Sequence, residues 1–563
     1  MTGNIDKIIV VAYLLIVVVL SVYYRRKYSH DTEQEFLTGG RHMNWFQTGM
    51  SLIGMMFDPG IMGNTAFGFV WGFYIVQWNA VNIWFTAPMA ALFFVAIYWR
   101  SKITTTTEYL EKRFNYASRA VFSVIMSVML ISWLAYGVYM GGVLLNNFLG
   151  WDRLTGSVVM IGVTAFIVIF GGVRTMLSLS IIQTFLLIAA ILGVGFAGFY
   201  MVGGLPGIRE MAVLGRADTP IKSFIPPMHF SVFSPDLYPF PSVPTWCIIA
   251  GMSWIICNFS MAQRLMAAKD ESHAQKSLIM AGSANALILL LAYAAGVAMR
   301  KSYPDINPDD AFMQLLLKFP VGVKGLLLVG LIAALFASKS GLLSASGSLL
   351  VQDIYARIIR KDSSSKHLTL VTRLVELAIA ILVLFTLPIF LNAADKKIPA
   401  YELIQIFMGD VMGVIIAIFL LGIFSKRVTA WASFYGVIIA VVIGGILHYC
   451  TTFYLNSNGV VSGVIIGGVL QYGSGFTGTA HNLNFWVIGT LEFVLVILIG
   501  WLGSYLEKPK PEVDLRNLTV WTLDDVKGPL VGLKSWPNLW KWVIALPASW
   551  FTICLLWELY MRS

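Results

Sequence analysis

The chain has 563 residues, of which 58% are hydrophobic and only 12% charged, whereas a soluble domain averages about 45–50% apolar and about 25% charged. So little charge cannot cover a water-facing surface, which excludes a soluble enzyme, a disordered scaffold and a disulfide-rich secreted module. The formal net charge of +10 sits mostly in alternate loops, a topology signal and not a nucleic-acid footprint.

A bilayer core needs roughly 20 apolar residues per helix. That ruler predicts an all-α polytopic membrane protein with about fourteen segments, near 5–24, 46–66, 74–98, 117–146, 153–171, 179–203, 244–262, 276–299, 321–350, 369–392, 400–424, 431–455, 483–505 and 539–560. The first lacks a preceding cationic region and a following cleavage site and runs into Tyr24-Arg25-Arg26-Lys27, so it reads as a membrane helix and not a signal peptide. Loops after odd-numbered segments hold most of the Lys and Arg, which predicts that they are cytoplasmic and that both termini lie outside. The connection 204–243 is Pro-rich and long enough to be a lid or packed cap, 456–480 is rich in Gly, Ser and Thr, and 506–538 is polar and cytoplasmic. Cys247, Cys257, Cys450 and Cys554 sit in apolar stretches with no CxxC pair and read as small buried hydrophobes. The histidines lie mostly in loops, and neither HExxH nor GxSxG occurs, so the chain does not read as an enzyme.

Function is expected where the helical pattern fails. The second segment contains Asp58-Pro59-Gly60 in mid-span. The proline removes a backbone donor and disfavours helix before it, and irregular backbone at membrane depth is tolerated only where it is buried in protein or lines a cavity. Discontinuous helices of this kind hold ions and substrate in secondary transporters. Lys339, Glu376, Asp410 and Glu492 are the other ionisable residues within spans, and an intramembrane charge is a functional candidate. Lys339 is expected to pair with Asp58 or Asp410, and Glu376 and Glu492 to be structural, near an interface. Segment nine is crowded with small and hydroxylated residues from Ala334 to Ser348, which allow close packing and offer oxygen ligands.

Several stretches resemble the sodium:solute symporter family. They are "AQRLMAAKDESHAQKS" after segment seven, "AIFLLGIFSKR" closing segment eleven, and "VKGLLLVGLIAALFAS" continuing to Asp353-Ile354-Tyr355. "TTEYLEKRF" in the third loop and Gly171-Gly172 followed by Gln183 complete the set. They occur in the family's order. The resemblance implies the five-plus-five inverted-repeat core shared with the sodium-coupled leucine transporter. It divides the chain into an N-terminal extra helix and loop (1–45), a first repeat (46–203), an external loop (204–243), a second repeat (244–430) and peripheral C-terminal helices (431–563).

The resemblance also implies a sodium site from the carbonyls of Gly54, Phe57 and Ala334 with Ala337 and Ser338, of which only Ser338 keeps a hydroxyl. Ser180 stands where the family often has a carboxylate, and Lys339 where an apolar residue is usual. Two readings stay open. Either Asp58 supplies negative charge and sodium binds through oxygen ligands, or the Lys339 ammonium takes the ion's place and transport is proton-coupled or uncoupled. The substrate positions implied are Asp58, Gln77, Trp254, Asn285 and Gln405, with Trp254 a platform or inner gate. The expected function is sodium-coupled symport of a small polar solute across the plasma membrane, without an obligate protein partner. A channel or solute sensor on the same fold is the competing class.

Overall fold

The structure, a computed structural model, describes residues 4–27, 41–56, 60–103, 105–211, 213, 221–224, 248–361, 363–456, 485–524 and 532–562. Phe57 and Asp58 lie outside the described residues, as do the side chains of Gln77, Ser180 and Asp410.

Helices account for nearly all of the described backbone, as expected where every N–H and C=O must be satisfied within its own segment. The chain begins with α1 (Asn4–Lys27), α2 (Trp45–Met56) and α3 (Gly60–Trp71). Then come α4 (Val76–Met89), which continues through a π-turn at Ala90–Phe94 into Val95–Arg100, and the short α5 (Thr106–Arg113). The long helices α6 (Tyr116–Leu149) and α7 (Arg153–Met201) follow. After the external connection come α8 (Phe259–Met266), α9 (Glu271–Ser302), α10 (Val323–Leu349), α11 (Ser365–Asp395) and α12 (Ala400–Phe424). The last three are α13 (Ala430–Asn456), α14 (Phe485–Gly503) and α15 (Leu539–Arg562). Polar caps mark many starts: Asn115 accepts from Ser118 N, Asp152 from Leu154 N, and Asp270 from His273 N.

Within the described residues the expected segments fall on helix, apart from the break at Asn258 in segment seven. Among the described residues, eight helices are long and apolar enough to cross a membrane, or nine if a bent pair in α12 counts as one span. Segments five and six run as the single 49-residue helix α7. Straight, it would be ~74 Å long. Yet Arg153 at its start pairs with Asp310 at 3.0 Å, and Met201 at its end lies 3.9 Å from Lys318. Only the short helix Ala311–Leu316 separates those two partners. The helix therefore doubles back along its length; its second arm, Thr184–Met201, is long and apolar enough to cross a membrane, and Arg153–Ile169 is a shorter apolar stretch.

Contacts between loops segregate by parity. Ends of even-numbered segments meet one another: Lys397 donates to the Asp305 carbonyl (2.8 Å), Asn307 to Ala394 (2.8 Å), and Ser223 to Glu558 (2.8 Å). Ends of odd-numbered segments do likewise: Arg100 pairs with Glu271 (3.2 Å), Arg113 donates to Gly422 O (2.9 Å), and Tyr109 to Leu518 O (2.9 Å). Two faces result, as the alternating loop charge required.

The core sits around α10. Of the most apolar window of Val323–Ile359, 94% is buried, against 17% for α15 and 33% for α11, α13 and α14, whose outward faces are apolar side chains suited to lipid. Two helices that matter below lack N-caps of their own. At α10 the cap residue is Gly322, with φ +88° and no side chain. Asp6 of α1 reaches across, accepting from Gly322 N (2.7 Å) and Gly325 N (3.1 Å). At α12 the cap residue is Pro399, and Asp309 accepts from Ala400 N at 3.2 Å. Both helices are thus capped by an aspartate from elsewhere in the fold.

Candidate functional site

Segment seven breaks within the described residues. A π-turn spans Ser253–Cys257, and Asn258 then turns extended (φ −63°, ψ 115°) before α8 begins. Asn258 Oδ1 accepts from Ser260 N at 2.9 Å, the spacing of an N-cap. The residue is fully buried, and its Nδ2 has no partner among the described residues. A buried amide left half-satisfied is costly unless something transient fills it. On segment two the described helices end at Met56 and begin at Gly60, flanking the Asp58-Pro59 pair.

Aromatic rings gather between these elements. Trp254 lies on Trp133 of α6 with centroids 4.9 Å apart. Trp133 also meets Tyr136 (5.6 Å) and Tyr401 of α12 (6.0 Å), and Tyr401 meets Phe67 of α3 (4.8 Å). Gly63 lets α3 press into this group: a β-carbon there would lie 2.2 Å from the Tyr136 hydroxyl and 2.7 Å from Tyr401 Cβ. Gln405, buried, sits one turn beyond Tyr401. Rings of this kind exclude water and stack on flat faces of a solute. Trp254 is half-buried against Trp133.

Lys339 is 1% exposed. Its stem lies in the groove left by Gly137 of α6, where a β-carbon would come within 1.9 Å of Cε. Its ammonium donates to the Trp133 carbonyl at 3.3 Å. The cation thus stands beside the aromatic group. The expected pairing with Asp58 or Asp410 involves carboxylates outside the described residues. The described sodium-site positions are buried: Gly54 on α2, and Ala334, Ala337 and Ser338 on α10, two helices that pack together. Asn285 on α9 is 2% exposed, and its Oδ1 has no partner among the described residues. In sequence it lies between Met280, which touches Gly49 of α2, and Tyr293, which touches Gly68 of α3. Glu376, packed on Gly347, and Glu492, packed on Gly444, are both nearly fully buried.

Sequence reasoning missed Asn258, Trp133, Tyr136, Tyr401 and the Gly137 groove. Asn258 carried a signal, an Asn two residues before a Ser inside an apolar run. Gly137 and Gly141, four apart, marked a close-packing face. Nothing in the local sequence marked the aromatic residues, since rings in a membrane helix are ordinary.

At the even-loop end the site helices α6 and α12 are tied together by Asp309, fully buried, which accepts from Tyr139 Oη (3.2 Å) as well as Ala400 N. Arg153 donates to Tyr139 Oη (3.2 Å) and pairs with Asp310. Burial pushes the Asp309 carboxyl up to about 7; the bond from Ala400 opposes this, Asp310 adds to it, and Arg153 opposes it. The folded acid then keeps its proton to near neutrality, while the unfolded one releases it near its ordinary 3.8. Ionisation across that window penalises only the folded state, so stability falls as pH rises from about 4 to about 7 and is level above it. Thermal unfolding of detergent-solubilised protein between pH 5 and 8 is expected to show a falling Tm, with a flatter profile in Asp309→Asn; identical profiles would refute this.

The break at Asn258, the buried Lys339 and the aromatic group beside it stand in an all-helical fold of the inverted-repeat transporter class. The structure is similar to a substrate-bound, outward-open Na+-coupled sialic acid symporter over 90% of this chain and 99% of that one (TM-score 0.70, 21% identity). It also resembles MHP1, a nucleobase-cation-symport-1 family transporter in a closed conformation, over 85% of this chain and 97% of that one (TM-score 0.52, 12% identity). Residues 36–440 match the sodium:solute symporter family, and the chain belongs to that family. Its relatives include the sodium/glucose cotransporter 4 of Mus musculus, 26% identical over 468 residues (76% of this chain, 66% of the relative). The sodium/myo-inositol cotransporter of Homo sapiens is 26% identical over 473 residues (76% and 65%). The sodium/glucose cotransporter 1 of Oryctolagus cuniculus is 26% identical over 471 residues (76% and 70%). The matched stretch thus spans just under two thirds of the length of the first two.

Proposed function

We propose that the protein is a secondary active transporter that couples sodium entry to uptake of a small polar organic solute, alternating access to a site at the helix breaks. The observation that carries this reading is the break at Asn258, whose buried, half-satisfied amide lies one turn from Trp254 and its ring partners. Asn258, Asn285, Gln405 and Trp254 are the described solute contacts in this reading, with Asp58 and Gln77 completing it. The sodium seat is Gly54, Phe57, Ala334, Ala337 and Ser338, with Ser180 and Asp410 as coupling or charge-pair residues. Residues 46–203 and 244–430 act as the two repeats, and 431–563 as peripheral helices in a plasma membrane.

Lys339 bears on the choice of ion. Its ammonium binds the Trp133 carbonyl on the α6 side of α10, whereas the sodium seat lies where α10 meets α2. That separation supports sodium over a lysine standing in the ion's place, because successive helix residues point about 100° apart.

Counterflow in proteoliposomes tests both points, using labelled glucose, myo-inositol and N-acetylneuraminate as probes. Saturable counterflow stimulated by sodium is expected, with kcat/KM for the accepted probe lowered at least about tenfold in Asn258→Ala, the size of one lost buried hydrogen bond. Uptake driven by a proton gradient alone and abolished by Lys339→Ala would replace sodium with the proton-coupled alternative. Non-saturable flux would indicate a channel.

A further inference from the structure

Arg264, part of the Gln-Arg pair in the segment-seven motif, has no role in the site above. It sits on α8, two turns past the Asn258 break, and is 5% exposed. Its Nη1 donates to Ser260 O (2.9 Å) and Ser260 Oγ (2.7 Å). Its Nε has no partner, and it forms no ion pair among the described residues. A guanidinium with five donors and no facing carboxylate is expensive to bury, because desolvation is not offset by an opposite charge.

The surroundings are also donor-rich. The head of Arg264 faces α10 at Gly341, where a β-carbon would lie 3.4 Å from Nη2 and 3.2 Å from Ser260 Oγ. Ser340, next in α10, has a buried hydroxyl with no partner, and Asn258 Nδ2 is likewise unpartnered among the described residues. Arg264 and Ser260 of α8 thus meet α10 where Gly341 leaves space, and the cation's Nε has no partner among the described residues. Neutral solutes need donors and acceptors in mixture; a cluster of this sign suits an anion.

We propose that Arg264, with Ser260, forms a binding seat for a small anion, either a free halide or the carboxylate of a passing solute. Gly341 is the residue that leaves room for it. The seat lies on the odd-loop side of the Asn258 break, since α8 leads to Ala267, whose carbonyl binds Met43 N of the first loop (3.1 Å). It therefore stands between the central site and the face assigned to the cytoplasm, and does not depend on which solute or cation is transported.

The test uses full-length protein in detergent, without sodium or solute, at constant ionic strength held with methanesulfonate, which is neither halide nor carboxylate. Methanesulfonate is replaced stepwise by chloride, or in a separate series by acetate, and Tm is followed, since an anion that binds only the folded state raises it saturably. A saturable rise is expected in the wild type, with the apparent Kd weakened at least about tenfold in Arg264→Gln, the effect of losing charge-assisted bonds. Gly341→Ala, which keeps the guanidinium but fills the space beside it, should weaken binding too, and serves if Arg264→Gln fails to fold. A response to chloride alone assigns the seat to free halide; a response to acetate, with or without chloride, assigns it to carboxylates. No saturable shift in the wild type, or equal shifts in all three proteins, overturns the seat. Neither result touches the counterflow experiment, so failure of the seat and failure of the transport reading are distinguishable.

Discussion

Replacing Asp353 by Asn is expected to destabilise the protein by about 3–5 kcal/mol, the cost of breaking a buried ion pair from one side. Asp353 lies on the π-helical stretch Leu350–Ile359 that extends α10, and its side chain is fully buried. One carboxylate oxygen accepts from Arg119 Nε (2.9 Å) and Nη2, the other from Ser123 Oγ, and its backbone carbonyl accepts from Tyr116 Oη (2.7 Å). Arg119 also bonds Glu111 of α5, which faces Arg357 at 3.6 Å. The carboxamide would keep the shape but leave the Arg119 guanidinium, 6% exposed, with only the half-buried Glu111 to balance it. The pair ties the odd-loop end of α6 to that of α10, so the loss is expected as a lower Tm and faster protease cleavage near that face. Removing both charges, as Arg119→Met with Asp353→Leu, should cost less than the sum of the single changes by at least about 1 kcal/mol, because neither buried charge is then stranded. A single substitution within about 0.5 kcal/mol of wild type would show that the pair is solvated and incidental.

Gly296→Val should do still more damage to the folded state, and for a different reason. On α9, a β-carbon at Gly296 would sit 2.1 Å from the Thr65 carbonyl oxygen and 2.6 Å from Phe69 N of α3. The reciprocal contact is as close: one at Gly68 would lie 2.5 Å from the Tyr293 carbonyl oxygen. Here backbone meets backbone, so no side chain can swing aside, and α3 must move as a body. Nearby, Tyr293 Oη donates to Asn64 Oδ1 (2.8 Å), and that bond would be lost with the displacement. Overpacking usually costs about 1–3 kcal/mol where side chains can adjust; without that relief, little monodisperse protein should survive size-exclusion chromatography. Gly137→Ala is the control. Its β-carbon meets only the flexible stem of Lys339, so the protein should fold while the ammonium leaves the Trp133 carbonyl. Equal yields of both variants would mean that α3 and α9 are less tightly seated than the geometry requires.

Much of the architecture was legible in residue order. Twenty-residue apolar runs, alternate-loop charge and the caps at Asn115, Asp152 and Asp270 each act over a few residues, and the spans and two faces follow from them. The family motifs were legible for the same reason, being contiguous. The rest of the aromatic group around Trp254 was not: Trp133, Tyr136 and Tyr401 come from two other segments, and nothing local distinguishes them from rings that face lipid. Lys339 is the sharpest case. Its burial in a span was plain from sequence, but its described bond is to a main-chain oxygen at Trp133, reached only because Gly137 has no side chain.

Sequence by itself thus determined that the chain is an all-helical membrane protein and which family it belongs to. Hydropathy and backbone chemistry act along the chain, so they can be read along it. Only the tertiary structure decided that α7 folds back into two arms, that Asp6 and Asp309 cap helices far from them in sequence, and that Arg264 is buried without a facing carboxylate among the described residues. Those outcomes depend on which helix packs against which, and apolar periodicity records that a face is covered but not by what.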